Sequence, residues 1–511
     1  MNANPNFGRR EFLQATAAAG GVFALGYDAL GNVVKAAEGA PAAPASPFGP
    51  KLFDTWLRFN PDNTITLMSG EVEFGQGVST GLATLVAEEL DADFPQMRVV
   101  QSGGDPVYAN PGTHTISTNS SASIRNRYDQ ARKIGATGRA MLVQAAADQW
   151  KVPASEITVS KGVVSHAASK RTANFAQLAP AASKLAIPTE VPLKAPEQWK
   201  LIGSPGIQRM DIVEKCTGKA NYGVDVRVPY MVHAAVMKSP VLGGSVKSFD
   251  ATAAKAKKGV KDVISLGFGV AVIADDEWTA RNALQSVKVV WDEGKWANLS
   301  SEQLAADYHA ALDKTQGRLA KNTGDVDAAA KAPGAKVVEA EYTLPYLHHT
   351  LMEPPNSCVW VHDGICEVWT PNANTSNLLR AVTYLTGVPA EKVRVNRTPY
   401  VGGSFGRRGR TETEVEAIMI SQKIGLPVHV LHSREEDITH SFNRPYTKTR
   451  LRASIDPSGN LTGWYQKIAC QEINETVLAE VAWPGTVDMA TIRADGAKLS
   501  ALYNMPYDFF A

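Results

Sequence analysis

The stretch Val401-Gly402-Gly403-Ser404-Phe405-Gly406-Arg407-Arg408-Gly409 organises the reading of the whole chain. Glycines around one phenylalanine, followed by a double arginine, leave a backbone that few side chains shield. Its N–H groups can approach a large anionic ligand. Before it, Val393-Arg394-Val395 alternates like a strand. After it, Thr411 to Lys423 reads as a helix with Val415, Ile418 and Met419 on one face. Strand, glycine loop and helix start is a geometry that holds a phosphate or an oxyanion. Taken alone, the stretch reads first as a tight turn with two solvated arginines and only second as an anion site.

The chain has 511 residues, of which 44% are apolar and 20% charged, with a net charge of +1. That length supports two to four domains, and the near-neutral charge argues against nucleic acid as a partner. Cys216, Cys358, Cys366 and Cys470 form no CxxC pair, so no iron–sulfur or zinc-finger set is present in the sequence. In an exported protein they could supply one or two disulfides. Export is expected from Gly8-Arg9-Arg10-Glu11-Phe12-Leu13-Gln14 and the small-residue apolar run Ala15 to Leu25. A twin arginine before a short, weakly apolar segment is a Tat-type signal, too short to span a bilayer. It predicts a periplasmic protein with no transmembrane span, cleaved between Ala36 and Ala45.

Residues 1–45 therefore read as signal and tether. Residues 46–200 form a first module, with strand Thr64 to Leu67, the loop Gly75-Gln76-Gly77, and a helix carrying Leu82, Leu85, Val86 and Leu90 on one face. Thr80 stands where a Rossmann fingerprint needs its third glycine, which argues against a nicotinamide or flavin loop. Three segments repeat a helix, a proline turn and a strand. They are Leu85–Leu90 through Pro95 to Met97–Val99, Ala145–Trp150 through Pro153 to Ile157–Val159, and Val382–Leu385 through Pro389 to Val393–Val395. Between the second and third lies a different domain, 201–314, with strands predicted at Val232–Met237, Val260–Ile264, Val270–Ile273 and Val287–Trp291, and a helix at Trp278–Ser286. A polar linker, 315–336, leads to the last module, 337–511. The fold class is α+β.

Four stretches offer chemistry: Gly75-Gln76-Gly77, Asn119 to Ser123, His348-His349-Thr350-Leu351-Met352-Glu353-Pro354-Pro355, and the glycine–arginine loop. The first, second and fourth supply backbone amides, hydroxyls and one side-chain amide, a neutral donor set suited to phosphates and a heterocycle. His348 and His349 are adjacent rather than one helical turn apart, so with Glu353 they read as buried polar residues at a turn, not as metal ligands. No metal-ligand set and no Gly-x-Ser-x-Gly hydrolase elbow is read from the chain.

In order and wording these stretches resemble the molybdenum-binding subunits of the xanthine dehydrogenase/aldehyde oxidase family, over nearly all of residues 55–511. The resemblance rests on Gly75-Gln76-Gly77, Lys215-Cys216-Thr217-Gly218-Lys219-Ala220-Asn221-Tyr222, the Gly-Gly-Ser-Phe-Gly-Arg-Arg loop, Arg434-Glu435-Glu436-Asp437 and Arg444-Pro445. Within the family the chain looks most like exported isoquinoline 1-oxidoreductase-like beta subunits. The resemblance implies an α/β hammerhead at 201–314, flanked by modules of the cofactor-binding domain with the N-terminal one permuted.

It further implies a molybdenum centre on molybdopterin cytosine dinucleotide, hydroxylating an N-heteroaromatic ring or an aldehyde with oxygen from water. Electrons would leave through [2Fe-2S] clusters on a small partner subunit, with a cytochrome as a candidate final acceptor. By this likeness Gly75, Gln76, Gly77, Ser121, Ser123, Gly402, Gly403, Ser404, Phe405, Gly406 and Arg407 hold the cofactor. Phe405 and Gly406 lie beside the metal, Arg407 and Arg408 balance cofactor charge, and Arg444 orients substrate. The competing reading of Arg444 is a surface salt bridge to Glu435, Glu436 or Asp437.

Three departures accompany the resemblance. Leu347 stands where many relatives have a glutamine near the metal, and Gly409 where purine oxidases have a substrate-anchoring glutamate, which disfavours purines. The Gly-x-Gly-Glu segment that carries the family's general base is not found before Ala511. The sequence is therefore expected to be a fragment, inactive alone; a split subunit or a degenerate protein are the alternatives. The rival functional reading is a non-catalytic periplasmic binding or interaction protein on the same scaffold.

Overall fold

The computed structural model describes residues 52–470 apart from 242, 315–316, 318–321 and 441–442. The signal, tether and cleavage site read at 1–45 lie outside the described residues, as does 471–511. The chain divides into two compact units. Among the described residues, the first holds 52–70, 78–116 and 122–210; the second holds 71–77, 117–121 and those from 211 to 470.

In the first unit, helix Val78–Leu90 packs on the long helix Ala122–Trp150, burying Leu82, Leu85, Val86 and Leu90 as their spacing predicts. A Cβ at Gly135 would lie 2.4 Å from the Val86 carbonyl oxygen, so only glycine lets the two backbones cross this closely. Strands Leu57–Phe59, Ile65–Ser69 and Met97–Gln101 form one small sheet, and Ile157–Ser160, Val163–His166 and Arg171–Asn174 form another. The Pro-rich segment near residue 200 is held against the first helix rather than left loose. Buried Glu88 accepts the N–H groups of Lys200 at 2.8 Å, Leu201 at 2.6 Å and Ile202 at 3.2 Å. Burial alone would raise the Glu88 carboxyl, but these donors and Lys194 pull it below the usual range.

All three helix–proline–strand echoes are real local units. Short 3-10 turns at Phe94–Gln96, Ala154–Glu156 and Ala390–Lys392 each feed directly into the strands that start at Met97, Ile157 and Val393. Proline fixes φ and withholds an N–H at a position where the tight turn has no use for one.

The second unit is built on a seven-stranded mixed sheet. Its order is Val393–Arg397, Ile365–Thr370, Asn356–His362, Val428–Leu431, Val232–Lys238, Gly269–Ala274, Val260–Ser265. Three of the four strands expected of the 201–314 domain thus share one sheet with strands of the 337–511 module. The join is the parallel pairing of Val428, His429 and Val430 with Val232, His233 and Ala234. Val428, Val430, Val232 and Ala234 are buried here, and an unpaired ladder would leave buried N–H and C=O groups without partners. Helices Thr375–Thr386 and Glu412–Ile424 contribute Leu378, Val382, Ala417 and Ile418 to its core. The strand expected at Val287–Trp291 appears as Lys288–Asp292, paired apart from this sheet with Ser245–Asp250. Lys336–Leu344, Thr447–Ile455 and Leu461–Cys470 form a separate antiparallel sheet. Cys216, Cys358 and Cys366 carry free thiols, so no disulfide joins them; burial pushes the Cys358 and Cys366 thiols up to about 12.

The join carries a pH dependence. His233 and His429 meet edge-on across the parallel strands with ring centroids 5.5 Å apart. Burial pushes His429 down to about 4, and His233 and Arg227 add repulsion. A histidine lowered on folding contributes its stability above its unfolded value of 6.5, and that contribution is lost as pH falls toward 4. Stability by urea titration should therefore drop by up to about 3 kcal/mol over that interval. His429→Gln should flatten the slope; an unchanged slope in the variant would refute the assignment.

Candidate functional site

The glycine–arginine loop lies between strand Val393–Arg397 and helix Glu412–Ile424, close to the strand–loop–helix pattern read from the sequence. Its backbone is folded back by three left-handed residues, Gly403 at φ +87°, Phe405 at +50° and Gly406 at +90°. Phenylalanine in that region is strained, which costs on the order of 1–3 kcal/mol unless its surroundings hold it. The Phe405 ring is 56% exposed and lies over Gly403, where a Cβ would stand 3.3 Å from the ring edge.

The solvated-arginine reading of this loop is corrected by the structure: Arg407 is 3% exposed and Arg408 5%. Arg407 pairs with Glu412 on the following helix. Arg408 donates to the Glu353 carbonyl at 2.6 Å and approaches its carboxylate at 3.2 Å. Burial lowers the Arg408 guanidinium, an effect that Glu353 opposes. The charges proposed to balance a cofactor are thus already balanced within the chain. Planar guanidinium groups pair with carboxylates in this way more readily than lysine does.

Glu353 is the centre of the site, and the sequence reading saw it only as a polar residue at a turn. Its carboxylate accepts the Gly402 N–H at 2.7 Å, the Val224 N–H at 3.2 Å and the Asn356 amide at 2.9 Å, besides Arg408. The Glu353 N–H in turn donates to the Gly402 carbonyl at 3.0 Å. A Cβ at Gly402 would fall 2.3 Å from the Glu353 Cβ, so glycine is required for this approach. The Pro354-Pro355 pair behind the glutamate was the available signal, since it fixes the chain where the carboxylate turns inward.

Two of the other stretches come to the same unit although their sequence neighbours belong to the first one. Val401 donates its N–H to the Glu73 carbonyl at 3.1 Å, tying Gly75-Gln76-Gly77 to the loop. Thr118 donates to the Ala373 carbonyl at 2.8 Å and Ala373 to the Arg408 carbonyl at 2.7 Å, which brings in Ser120 and Ser121. Both serines are left-handed, at φ +50° and +53°. Ser123 belongs instead to helix Ala122–Trp150 of the first unit.

Several donors that the sequence offered to a ligand are used within the chain. Glu73 accepts the N–H groups of Gly75 at 3.0 Å and Gly77 at 2.9 Å. The Gln76 amide accepts from the Phe74 N–H and donates to the Val72 carbonyl, both at 2.8 Å. Ser404 is buried and its carbonyl takes the Arg407 N–H at 2.8 Å. The N–H groups of Phe405 and Gly406 are exposed and meet no acceptor among the described residues.

Arg444 is exposed, and its backbone exchanges two hydrogen bonds with Leu347, at 3.3 and 2.8 Å. The salt bridge weighed for it does not form among the described residues. Asp437 is taken by Arg434 at 2.7 Å and by His348 at 3.0 Å, and Glu436 faces His440 at 3.1 Å. The His348 and His349 rings lie edge to face with centroids 6.4 Å apart, and burial together with Arg407 lowers His349.

Removing the hub should be costly, because it strands a buried guanidinium. Glu353→Ala is expected to lose about 3–5 kcal/mol of stability and Glu353→Gln less, measured by chemical denaturation. Two variants as stable as the parent would show that the loop does not depend on this carboxylate.

Models described as molybdopterin cofactor-binding domains match residues 33–257 and 309–481. The beta chain of isoquinoline 1-oxidoreductase from Brevundimonas diminuta is 30% identical over 452 residues, covering 79% of this chain and 57% of that protein. The membrane-bound aldehyde dehydrogenase (pyrroloquinoline-quinone) of Gluconacetobacter polyoxogenes is 27% identical, covering 89% of this chain and 58% of its own length. A nicotinate dehydrogenase component of Pseudomonas putida is 28% identical, over 75% of this chain and 32% of its own length. The chain thus spans a little over half the length of the first two relatives and about a third of the last. It belongs to the family of molybdopterin-binding subunits that includes xanthine dehydrogenase and aldehyde oxidase.

Proposed function

We propose that the chain is the molybdenum-binding part of an exported hydroxylase that oxidises an N-heteroaromatic ring or an aldehyde. Oxygen would come from water, and electrons would pass to a small [2Fe-2S] partner and on to a cytochrome. The observation that carries this reading is that Gly75-Gln76, Ser120-Ser121 and Phe405-Gly406 are all exposed in one unit, linked through the Val401–Glu73 and Thr118–Ala373–Arg408 hydrogen bonds, with strained backbone at Ser120, Ser121 and Phe405; we read them as one wall. Strain of this kind persists where a site must keep its shape.

The wall fits a pterin dinucleotide in its chemistry. Gln76, Ser121, Gly402, Gly403 and the N–H groups of Phe405 and Gly406 would hold it, with Gly406 leaving open space where a Cβ would project. The family relation and the periplasmic reading together favour the cytosine dinucleotide form. When bound, the group supplies the two-electron oxidation at molybdenum. This chain's own residues bind, orient and exclude water. The exposed Phe405 ring offers a planar apolar face, and Arg444, anchored through Leu347, offers a guanidinium fork for a carbonyl or ring nitrogen. Gly409 in place of an anchoring glutamate supports a substrate other than a purine.

A second reading, a non-catalytic binding protein, draws on the internal use of the Gly75 and Gly77 amides by Glu73. Among the described residues no helix is long and apolar enough to cross a membrane.

Molybdenum and cytidine nucleotide, measured on folded protein co-expressed with a [2Fe-2S] protein, should approach one per chain. Gly406→Val should cut both at least several-fold while leaving the circular dichroism spectrum unchanged. A folded parent protein that carries neither molybdenum nor cytidine would sink the hydroxylase reading in favour of the binding protein.

A further inference from the structure

Behind the loop, helix Glu412–Ile424 opens with Glu412, Glu414 and Glu416, and all three side chains point into the protein. Carboxylates are favoured at a helix start, but three in the interior need partners. Glu412 has Arg407. Glu416 has the Lys238 ammonium at 2.9 Å and His432 at 2.7 Å. Glu414 is as buried as Glu416, yet no lysine, arginine or histidine lies within ion-pair reach of it among the described residues. Its neighbours are neutral. The Thr370 hydroxyl donates to Oε1 at 2.6 Å, the Asn372 amide to the same oxygen at 3.0 Å, and the Thr413 hydroxyl to Oε2 at 3.4 Å.

Arg410, which lines the same cavity, makes no ion pair with Glu414, and the other charged groups nearby are committed elsewhere. Arg408 is bound to Glu353, Arg407 to Glu412, and Lys238 and His432 to Glu416. Glu412 and Glu416 on the same helix are anions that repel a third. A buried carboxylate without a cation costs more than the neutral acid, so the proton stays on. Burial pushes the Glu414 carboxyl above the usual range, even against these hydrogen bonds and Arg408. By contrast, His432 and Lys238 overcome burial at Glu416 and bring it down to about 2.

A polar cavity adjoins Glu414. Arg407, Arg408, Arg410, Glu412 and Asn372 also line it, and about 20 Å³ is open to the centre of a water molecule. That is room for about one water, with polar partners on several sides.

We propose that Glu414 is a neutral carboxylic acid in the folded protein and that it exchanges its proton with a water molecule in the cavity behind the Arg407-Arg408 loop, the water returning a proton as it takes one. The chain thereby holds a proton-carrying group directly behind the ligand wall. This inference does not rest on the identity of the ligand.

Infrared spectroscopy of the full chain, with isotopically labelled glutamate, tests it. A protonated-carboxyl band is expected at neutral pH in the parent protein and in Glu412→Gln, and its loss is expected in Glu414→Gln. In deuterium oxide the band should shift at least tenfold faster than global unfolding. Thr370→Val, which removes the 2.6 Å donor, should displace the band without abolishing it. This arm serves even if Glu414→Gln does not fold. No band in the parent, a band that survives Glu414→Gln, a band that Thr370→Val leaves in place, or one that shifts only on unfolding would each overturn the proposal.

Discussion

The contact on which the second unit depends is the buried pair Glu353–Arg408, with Gly402 pressed against it. One carboxylate receives main-chain N–H groups from residues 224 and 402, the amide of Asn356 and a guanidinium. It therefore holds three separate parts of the chain at fixed distances. A buried ion pair of this kind is weak as a source of stability in itself, because desolvation offsets most of the attraction. Its effect is geometric: either partner left alone would be a buried charge, so the loop has one acceptable position.

The same rule explains the rest of the interior beneath the loop. Arg407 needs Glu412, Lys238 needs Glu416, and His432 shares that carboxylate. Lys238 comes from a strand of the 232–274 region and the glutamates from the helix after the loop, so the charge pairing crosses the same boundary as the central sheet. Glu414 is the exception. It is accommodated by hydrogen bonds to neutral groups alone, and it sits where the cavity opens.

Charge neutralised inside the chain also shapes what the outer surface can do. With both arginines committed inward and the Gly75 and Gly77 amides turned to Glu73, the exposed donors are main-chain N–H groups and hydroxyls. Such a surface recognises shape and oriented dipoles more than net charge. The left-handed backbone at Ser120, Ser121 and Phe405 fixes those dipoles in place.

Much of this was legible in the residues. Glycine spacing, proline turns and apolar periodicity are local properties, and they located strand Val393–Arg397, the loop, helix Glu412–Ile424 and the three repeated helix–turn–strand units. The order of the motifs pointed to the family. What the sequence could not decide was pairing over distance. Arg408 lies 55 residues from Glu353, and the two look like separate surface charges until the chain is folded. The sharing of one sheet by Val232–Lys238 and Val428–Leu431 was likewise invisible, because strand propensity says that a segment will pair and not with what. Sequence alone determined which segments become strands, turns and helices, because those follow from local sterics. Only the tertiary structure decided which charges are buried, which glycines touch a partner and which carboxyl keeps its proton, because each depends on what the distant chain brings alongside.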